Sequence, residues 1–170
     1  MKYPSFTVQC IYKSPLGDIR LAAHAGKLIG LWFVGQKHEV DASSWSFDQE
    51  NPVFDRIKTN LENYFAGKPL GIDEFNWMHE IVFPKATEFE QLVWQQLLSI
   101  HTGHTVSYSD LATQIGKPKA YRAVAAAIGK NPISLIVPCH RVVGKNGALT
   151  GYAGGLDRKK ALLLLEQKAL

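Results

Sequence analysis

The chain has 170 residues, 46% hydrophobic and 20% charged, with two cysteines and a net charge of +4. That length holds one or two small domains with a packed core, and no apolar run approaches the roughly 20 residues that span a bilayer. The +4 is unevenly placed: residues 1–85 carry nine Lys/Arg and ten Asp/Glu, net −1, and residues 86–170 carry ten and five, net +5. The N-terminus lacks a secretory apolar stretch, so the chain is expected to be cytoplasmic.

Residues 6–12 and 18–23 read as strands around the turn Ser14-Pro15-Leu16-Gly17. Ala25-Gly26-Lys27 then turns into a third strand over 28–34, which makes an antiparallel meander. Residues 35–51 are polar and turn-prone and read as a loop. Asn51-Pro52 is an N-cap with proline at the first helical position. Phe54, Ile57, Leu61, Tyr64 and Phe65 follow at helical spacing, and Gly67 ends the helix. A further strand is predicted over 77–83, and Pro84-Lys85 is the linker. Residues 1–84 are thus expected to form a small α+β domain, and residues 85–170 a second domain.

In the second half, Thr87 and Glu90 have the spacing of a capping box. Phe89, Leu92, Val93, Leu97 and Ile100 make one apolar helical face. Ser107 caps a shorter helix with Leu111, Ala112 and Ile115 on its core side. Gly116-Lys117-Pro118 breaks it. A third helix runs over 119–128, with Tyr121, Val124 and Ile128 inward and Gly129 at its end. The pair has the form of a helix-turn-helix. The outward side of its second helix carries Arg122 among Ala123, Ala126 and Ala127, with Lys117, Lys119 and Lys130 near by. Small residues permit close approach to another surface. That surface is DNA in one reading and the other domain in a plainer one.

Residues 133–137 are an apolar β-type run ending at Pro138, followed by Cys139-His140-Arg141-Val142-Val143-Gly144. A cysteine at such a turn can face a cleft, and an adjacent His and Arg favour the thiolate. Neighbouring side chains on an extended chain point apart, so a direct Cys139–His140 bond does not follow. The plainer reading of a lone cysteine is a small buried hydrophobe. Cys10, His24, His38 and His79 lack zinc-ligand spacing, so no metal is expected. Gly151-Tyr152-Ala153-Gly154-Gly155 allows positive φ and close backbone approach, and leads to a helix near Asp157. Its Leu162–Leu165 run is read as core. Glu166 is either a solvated helix-end charge or the group that orients a histidine.

Taken together, Thr105-Val106-Ser107-Tyr108, Arg122-Ala123-Val124, Gly129-Lys130-Asn131-Pro132, Val137-Pro138-Cys139-His140-Arg141-Val142 and Gly154-Gly155-Leu156 resemble the O6-alkylguanine-DNA alkyltransferases, also called methylated-DNA–protein-cysteine methyltransferases. The resemblance covers the second half almost continuously; the Ser-Pro-Leu-Gly hairpin carries it more weakly. It implies an RNase H-like N-terminal domain and a winged-helix-like C-terminal one. It implies that Cys139 accepts the alkyl group, that His140 activates it through a water, that Glu166 orients His140, and that Asn131 braces the turn. Tyr108 matches the residue that helps rotate the nucleotide and protonates guanine N3. Arg122 matches the finger that fills the space of the flipped base. The Val142 carbonyl and the Ala153 N–H match groups that read the guanine, beside Tyr152, and Lys159 matches a lysine tied to the cysteine loop. Relatives often carry Ser where this chain has Ala153, so a side-chain contribution there is absent.

The implied partner is double-stranded DNA containing alkylated bases, held in the minor groove with weak sequence dependence, by a monomer without cofactor. The resemblance implies a reaction that runs once per molecule, with O4-methylthymine expected as a further substrate. The length leaves no room for a separate regulatory zinc module, so the stand-alone bacterial-type form is expected. On the residues alone two rivals stay open: a DNA-binding regulator in which Cys139 is structural, and a Cys-His hydrolase that turns over repeatedly.

Overall fold

The structure is a computed structural model, and it describes residues 3–70, 79–84 and 86–168. Strands β1 (Val8–Ser14), β2 (Gly17–His24) and β3 (Lys27–Phe33) form the expected meander. The first turn closes because the Ser14 hydroxyl donates to the Gly17 carbonyl at 2.6 Å and accepts from the Leu16 N–H. Ala25 and Gly26, at φ +48° and +74°, make the second turn one of the primed kind that matches strand twist. The loop expected over 35–51 contains a short strand, β4 (Ser46–Phe47), parallel to β1, so the sheet order is β3-β2-β1-β4. Two residues are too few to leave a periodicity in the sequence.

Helix α1 (Pro52–Phe65) starts as expected: the Asn51 side chain accepts from the Val53 N–H, with Pro52 in the first turn. Val53, Phe54, Ile57, Leu61 and Tyr64 are buried and belong to one core cluster with Cys10, Ile19 and Leu21 of the sheet. Truncating such a side chain, as in Ile57→Ala, costs about 2–5 kcal/mol. The opposite face of the sheet is covered by Tyr3, Val40 and Trp45 packing on Ala22, Ile29 and Trp32. Of the strand expected over 77–83, residues 77–78 lie outside the described residues. The remainder shows one bridge, Ile81 beside Leu28 on the edge of β3.

Helix α2 (Glu88–Leu98) carries the complete Thr87/Glu90 capping box. Its buried side is Val93, Trp94, Leu97 and Leu98, whereas Leu92 is exposed. Strand β5 (Val106–Ser107) leads into α3 (Tyr108–Gln114), where Ser107 and Asp110 form a second capping box. A 3-10 turn over Pro118–Ala120 precedes α4 (Tyr121–Gly129), so the helix begins two residues later than expected and includes Gly129. Val124 and Ile128 face inward, but Tyr121 is exposed. The Trp94 indole N–H donates to the Ala127 carbonyl at 2.8 Å and ties α2 to α4.

No strand forms over residues 133–137. Ile133 makes a single bridge to Leu31 of β3, and the chain then turns through Leu135 at φ +69°. The Val137 N–H donates back to the Ile133 carbonyl, and Asn131 Oδ1 accepts from the Ile133 N–H. A fully buried apolar run has the same composition in a strand and in a tight turn, so pattern alone does not separate them. A 3-10 turn over Cys139–Arg141 follows, then β6 (Val142–Val143), parallel to β5, and α5 (Leu156–Gln167). Of the four-leucine run Leu162 is buried and Leu164 is exposed. Residues of both halves belong to one buried cluster, from Cys10 and Phe54 to Val142 and Leu162.

Candidate active site

Cys139 sits where the chain leaves the buried turn and is 4% exposed. Asn131, at the end of α4, shapes that turn. Its side-chain N–H groups donate to the Val137 carbonyl at 2.8 Å and to Cys139 Sγ at 3.1 Å. Burial raises the Cys139 thiol above its ordinary value, opposed by the Asn131 hydrogen bond and the Lys159 charge. The resting sulfur is therefore a thiol that needs a base when it reacts.

His140 is the adjacent residue but belongs to a different contact set. Its Nε2 lies 2.8 Å from Glu166 Oε1, and both side chains are fully buried. A carboxylate only accepts, so Nε2 carries the hydrogen and Nδ1 keeps the lone pair. Nδ1 has no hydrogen-bond partner among the described residues. Burial lowers the His140 value below 6.5 despite Glu166, leaving a neutral ring able to take a proton at Nδ1.

Glu166 is not a solvated helix-end charge. Its Oε1 accepts from Tyr64 Oη (2.8 Å), His140 Nε2 (2.8 Å) and Arg141 Nη2 (2.9 Å). Its Oε2 accepts from Arg141 Nε (3.0 Å) and the Gly103 N–H (3.3 Å). Burial pushes its carboxyl value up, but the hydrogen bond from His140 and the hydrogen bonds and charge of Arg141 outweigh it and hold the group below the usual range. Arg141, expected beside the thiolate, is instead the counter-ion of this carboxylate. It also donates to the carbonyls of Ile100 and Leu70 and to Thr102 Oγ1. A buried guanidinium and carboxylate satisfied this fully fix one geometry.

Lys159, on α5, is fully buried and donates to the Val142 carbonyl and, at 2.7 Å, to the Thr150 carbonyl. Burial pulls its value down to about 8, partly offset by Cys139. It thus ties the segment after Cys139 to the glycine-rich loop. The Ala153 carbonyl of that loop accepts from the Lys37 N–H at 3.0 Å. Gly154 must be glycine, since a Cβ there would lie 2.6 Å from the Tyr152 ring and 3.2 Å from Phe33. Tyr152 places its ring centroid 6.4 Å from that of His140. The Tyr108 hydroxyl points to the same loop, 3.3 Å from the Thr150 carbonyl, and burial raises its phenol value, so it is protonated at neutral pH.

On α4, Arg122, Ala123 and Ala126 are exposed, as are Lys117 and Lys119 in the preceding turn. Arg122 lies over the Tyr121 ring at 5.7 Å. Ala127 faces inward and is 3% exposed, so it is not part of the outer face. It sits on the α2 side of the helix, one residue beyond the exposed stripe. Lys130 is paired with Glu90 at 3.0 Å rather than free for a phosphate.

The structure therefore brings together Cys139, His140, Glu166, Asn131, Lys159, Tyr152 and Tyr108. The sequence alone gives no site role to Tyr64, Thr102 or Arg158, and it places Arg141 beside the thiol rather than on Glu166. Arg141 lies within the Pro138-Cys139-His140-Arg141-Val142 motif, whereas Tyr64 is one position of the apolar pattern of α1. Arg158 donates to the carbonyls of Leu16 and Gly154 and covers the Phe33 ring at 4.7 Å, which joins the first hairpin to the glycine-rich loop.

A sheet-and-helix unit joined to a helical unit defines a two-part α+β protein in which a buried Cys–His–Glu set lies in the same chain as an exposed arginine-bearing helix. The family described as "6-O-methylguanine DNA methyltransferase, ribonuclease-like domain" matches residues 8–76, and the one described as "6-O-methylguanine DNA methyltransferase, DNA binding domain" matches residues 88–168. A methylated-DNA–protein-cysteine methyltransferase of Mycobacterium bovis is 44% identical over 154 residues, 91% of this chain and 88% of that protein. One of Methanosarcina barkeri is 41% identical over 160 residues, 94% of this chain and 97% of the relative. The crystal structure of Mycobacterium tuberculosis O6-methylguanine methyltransferase superposes with a TM-score of 0.85 at 41% identity, covering 96% and 94% of the two chains. The Mycobacterium tuberculosis OGT in complex with DNA gives 0.83 at 42% identity, covering 94% and 92%. The chain belongs to the 6-O-methylguanine DNA methyltransferase family.

Proposed function

We propose that this protein repairs DNA by direct reversal, moving the alkyl group of O6-alkylguanine onto Cys139 once per molecule. The observation that carries this is the buried set in which Asn131 holds Sγ at 3.1 Å while Glu166 holds the neighbouring His140 at 2.8 Å. The thiol proton passes to His140 Nδ1, through one water. Sulfur forms a bond to the alkyl carbon as the carbon–O6 bond breaks, and the electron pair leaves with the purine. Tyr108 supplies a proton at N3 and the Ala153 N–H stabilises O6, so the departing guanine bears no uncompensated charge. One thioether and one guanine form, and nothing in the set cleaves the thioether again.

The target atom lies inside a base stack, so the nucleotide must be extruded. The exposed stripe of Arg122, Ala123 and Ala126 suits a minor groove, with Arg122 replacing the flipped base and Lys117 and Lys119 near phosphates. The protein acts as a monomer, with O4-methylthymine as a second substrate and the boundary between its two units at residues 84/85. The test uses a duplex with a single O6-methylguanine. Loss of the lesion plateaus at one equivalent per protein molecule; continued turnover, or no loss, contradicts the reading.

A further inference from the structure

The carboxylate that orients His140 is held from both halves of the molecule. Tyr64 lies on α1 of the N-terminal unit, 102 residues before Glu166, is 1% exposed, and donates to Oε1 at 2.8 Å. The same oxygen accepts from His140 Nε2 at 2.8 Å and from Arg141 Nη2 at 2.9 Å. With the two donors on Oε2, the carboxylate serves five N–H or O–H groups among the described residues, against roughly four lone-pair sites. Donors that share an acceptor weaken one another, because each draws on the same electron density. A phenylalanine would fill the same space in the α1 core, so packing alone does not call for the hydroxyl.

We propose that Tyr64 is a positioning residue for alkyl transfer, its hydroxyl competing with His140 for one oxygen of Glu166 and so limiting how strongly the carboxylate holds the ring. This rests on the alkyl-transfer reading and adds to it that the N-terminal unit tunes the base. A ring held too strongly keeps its accepted proton; a ring held too weakly loses its orientation. The charged and titratable groups around His140 are Glu166 and Lys159 of α5, Arg141 and Cys139 beside it in the chain, Tyr64 of α1, and Tyr152 of the glycine-rich loop. Of these, Tyr64 alone comes from the N-terminal unit and is changed without removing a charge.

The experiment compares the full-length protein with Tyr64→Phe. Removing the competing donor strengthens the His140–Glu166 bond, so the Nε2-bound proton resonance of His140 moves downfield. The ring becomes more basic and stays protonated to higher pH, so the pH midpoint for alkylation of Cys139 by free O6-benzylguanine rises by about half a unit, with about a threefold loss of rate below the midpoint. A second variant carries 3-fluorotyrosine at position 64; its more acidic phenol donates more strongly and moves both readouts the opposite way. It keeps the test decisive if Tyr64→Phe does not fold. An unchanged resonance and an unchanged pH profile, with only a lower melting temperature, overturn the proposal. Should the wild-type protein transfer no alkyl group from DNA, the functional reading falls, while the His140 resonance still decides the role of Tyr64.

Discussion

Cys10 and Cys139 are both buried, at 0% and 4% exposure, and burial raises both thiols. Their surroundings differ in what opposes that burial. Cys10 lies in the core between the sheet and α1, where burial pushes it up to about 11 and, among the described residues, the Lys58 charge alone pulls the other way. Cys139 lies on a turn whose polar groups are aimed at it: the Asn131 side chain, the Lys159 charge, and backbone N–H groups of Cys139 and His140. A buried thiol is inert by default, and it becomes a usable nucleophile where the fold places donors and a neutral base around it. The meander holds Cys10 among apolar side chains, whereas the broken apolar run holds Cys139 among polar groups, which is why the proposed reactant is Cys139.

The largest effect that would break this contrast is at the cysteines themselves. Cys139→Ala is expected to abolish alkyl transfer while leaving DNA binding intact in a gel-shift titration, whereas Cys10→Ala keeps full transfer. Next comes Glu166→Gln. It leaves the buried Arg141 without its anion, which costs about 3–5 kcal/mol of stability. The melting temperature should fall, and alkylation at neutral pH should slow because His140 loses its orienting charge. Third, Arg122→Ala should slow repair of duplex DNA by about thirtyfold, the equivalent of a flipping step made about 2 kcal/mol harder. Its reaction with free O6-benzylguanine should be unchanged, because a free base needs no flipping. Equal losses in the two assays would remove the finger role.

The smallest effect is on acid stability. His140 has a folded value below its ordinary 6.5. Between those two values the unfolded chain binds a proton that the folded chain does not, so stability is fully present above 6.5 and falls as pH drops. Glu166 is depressed below its ordinary 4.5, so its contribution is present above 4.5 and is lost as pH falls through the depressed value. Both act in one direction. The melting temperature should decline from pH 7 to pH 5, and His140→Gln should flatten that decline; Cys10→Ala should not.

Local signals in the sequence were the reliable ones. Asn51-Pro52, Thr87 with Glu90, and Ser107 each cap a helix where expected, because a cap is made by residues within one turn of each other. The site motif was legible as a resemblance, and it led to Cys139, His140, Glu166 and Asn131. Interactions between distant segments were not legible. Tyr64 reads as one more apolar position on α1, since nothing local shows that its hydroxyl meets a residue near the other end of the chain. The 133–137 run reads as a strand because its partners, Leu31 and the Asn131 side chain, are absent from its own pattern. The sequence pattern puts Ala127 outward and Tyr121 inward on α4, and the structure reverses both. Four of the nine residues of α4 are alanines, which suit either side of a helix, and the buried side is the one where the Ala127 carbonyl meets the Trp94 indole of α2.

The account stands most directly on where the alkyl group goes. The measurement is peptide mapping by mass spectrometry after incubating the protein with an equimolar duplex containing O6-methylguanine. The account predicts one methyl group on the peptide bearing Cys139 and none on the peptide bearing Cys10. A methyl group on Cys10, on both cysteines, or on neither would contradict it.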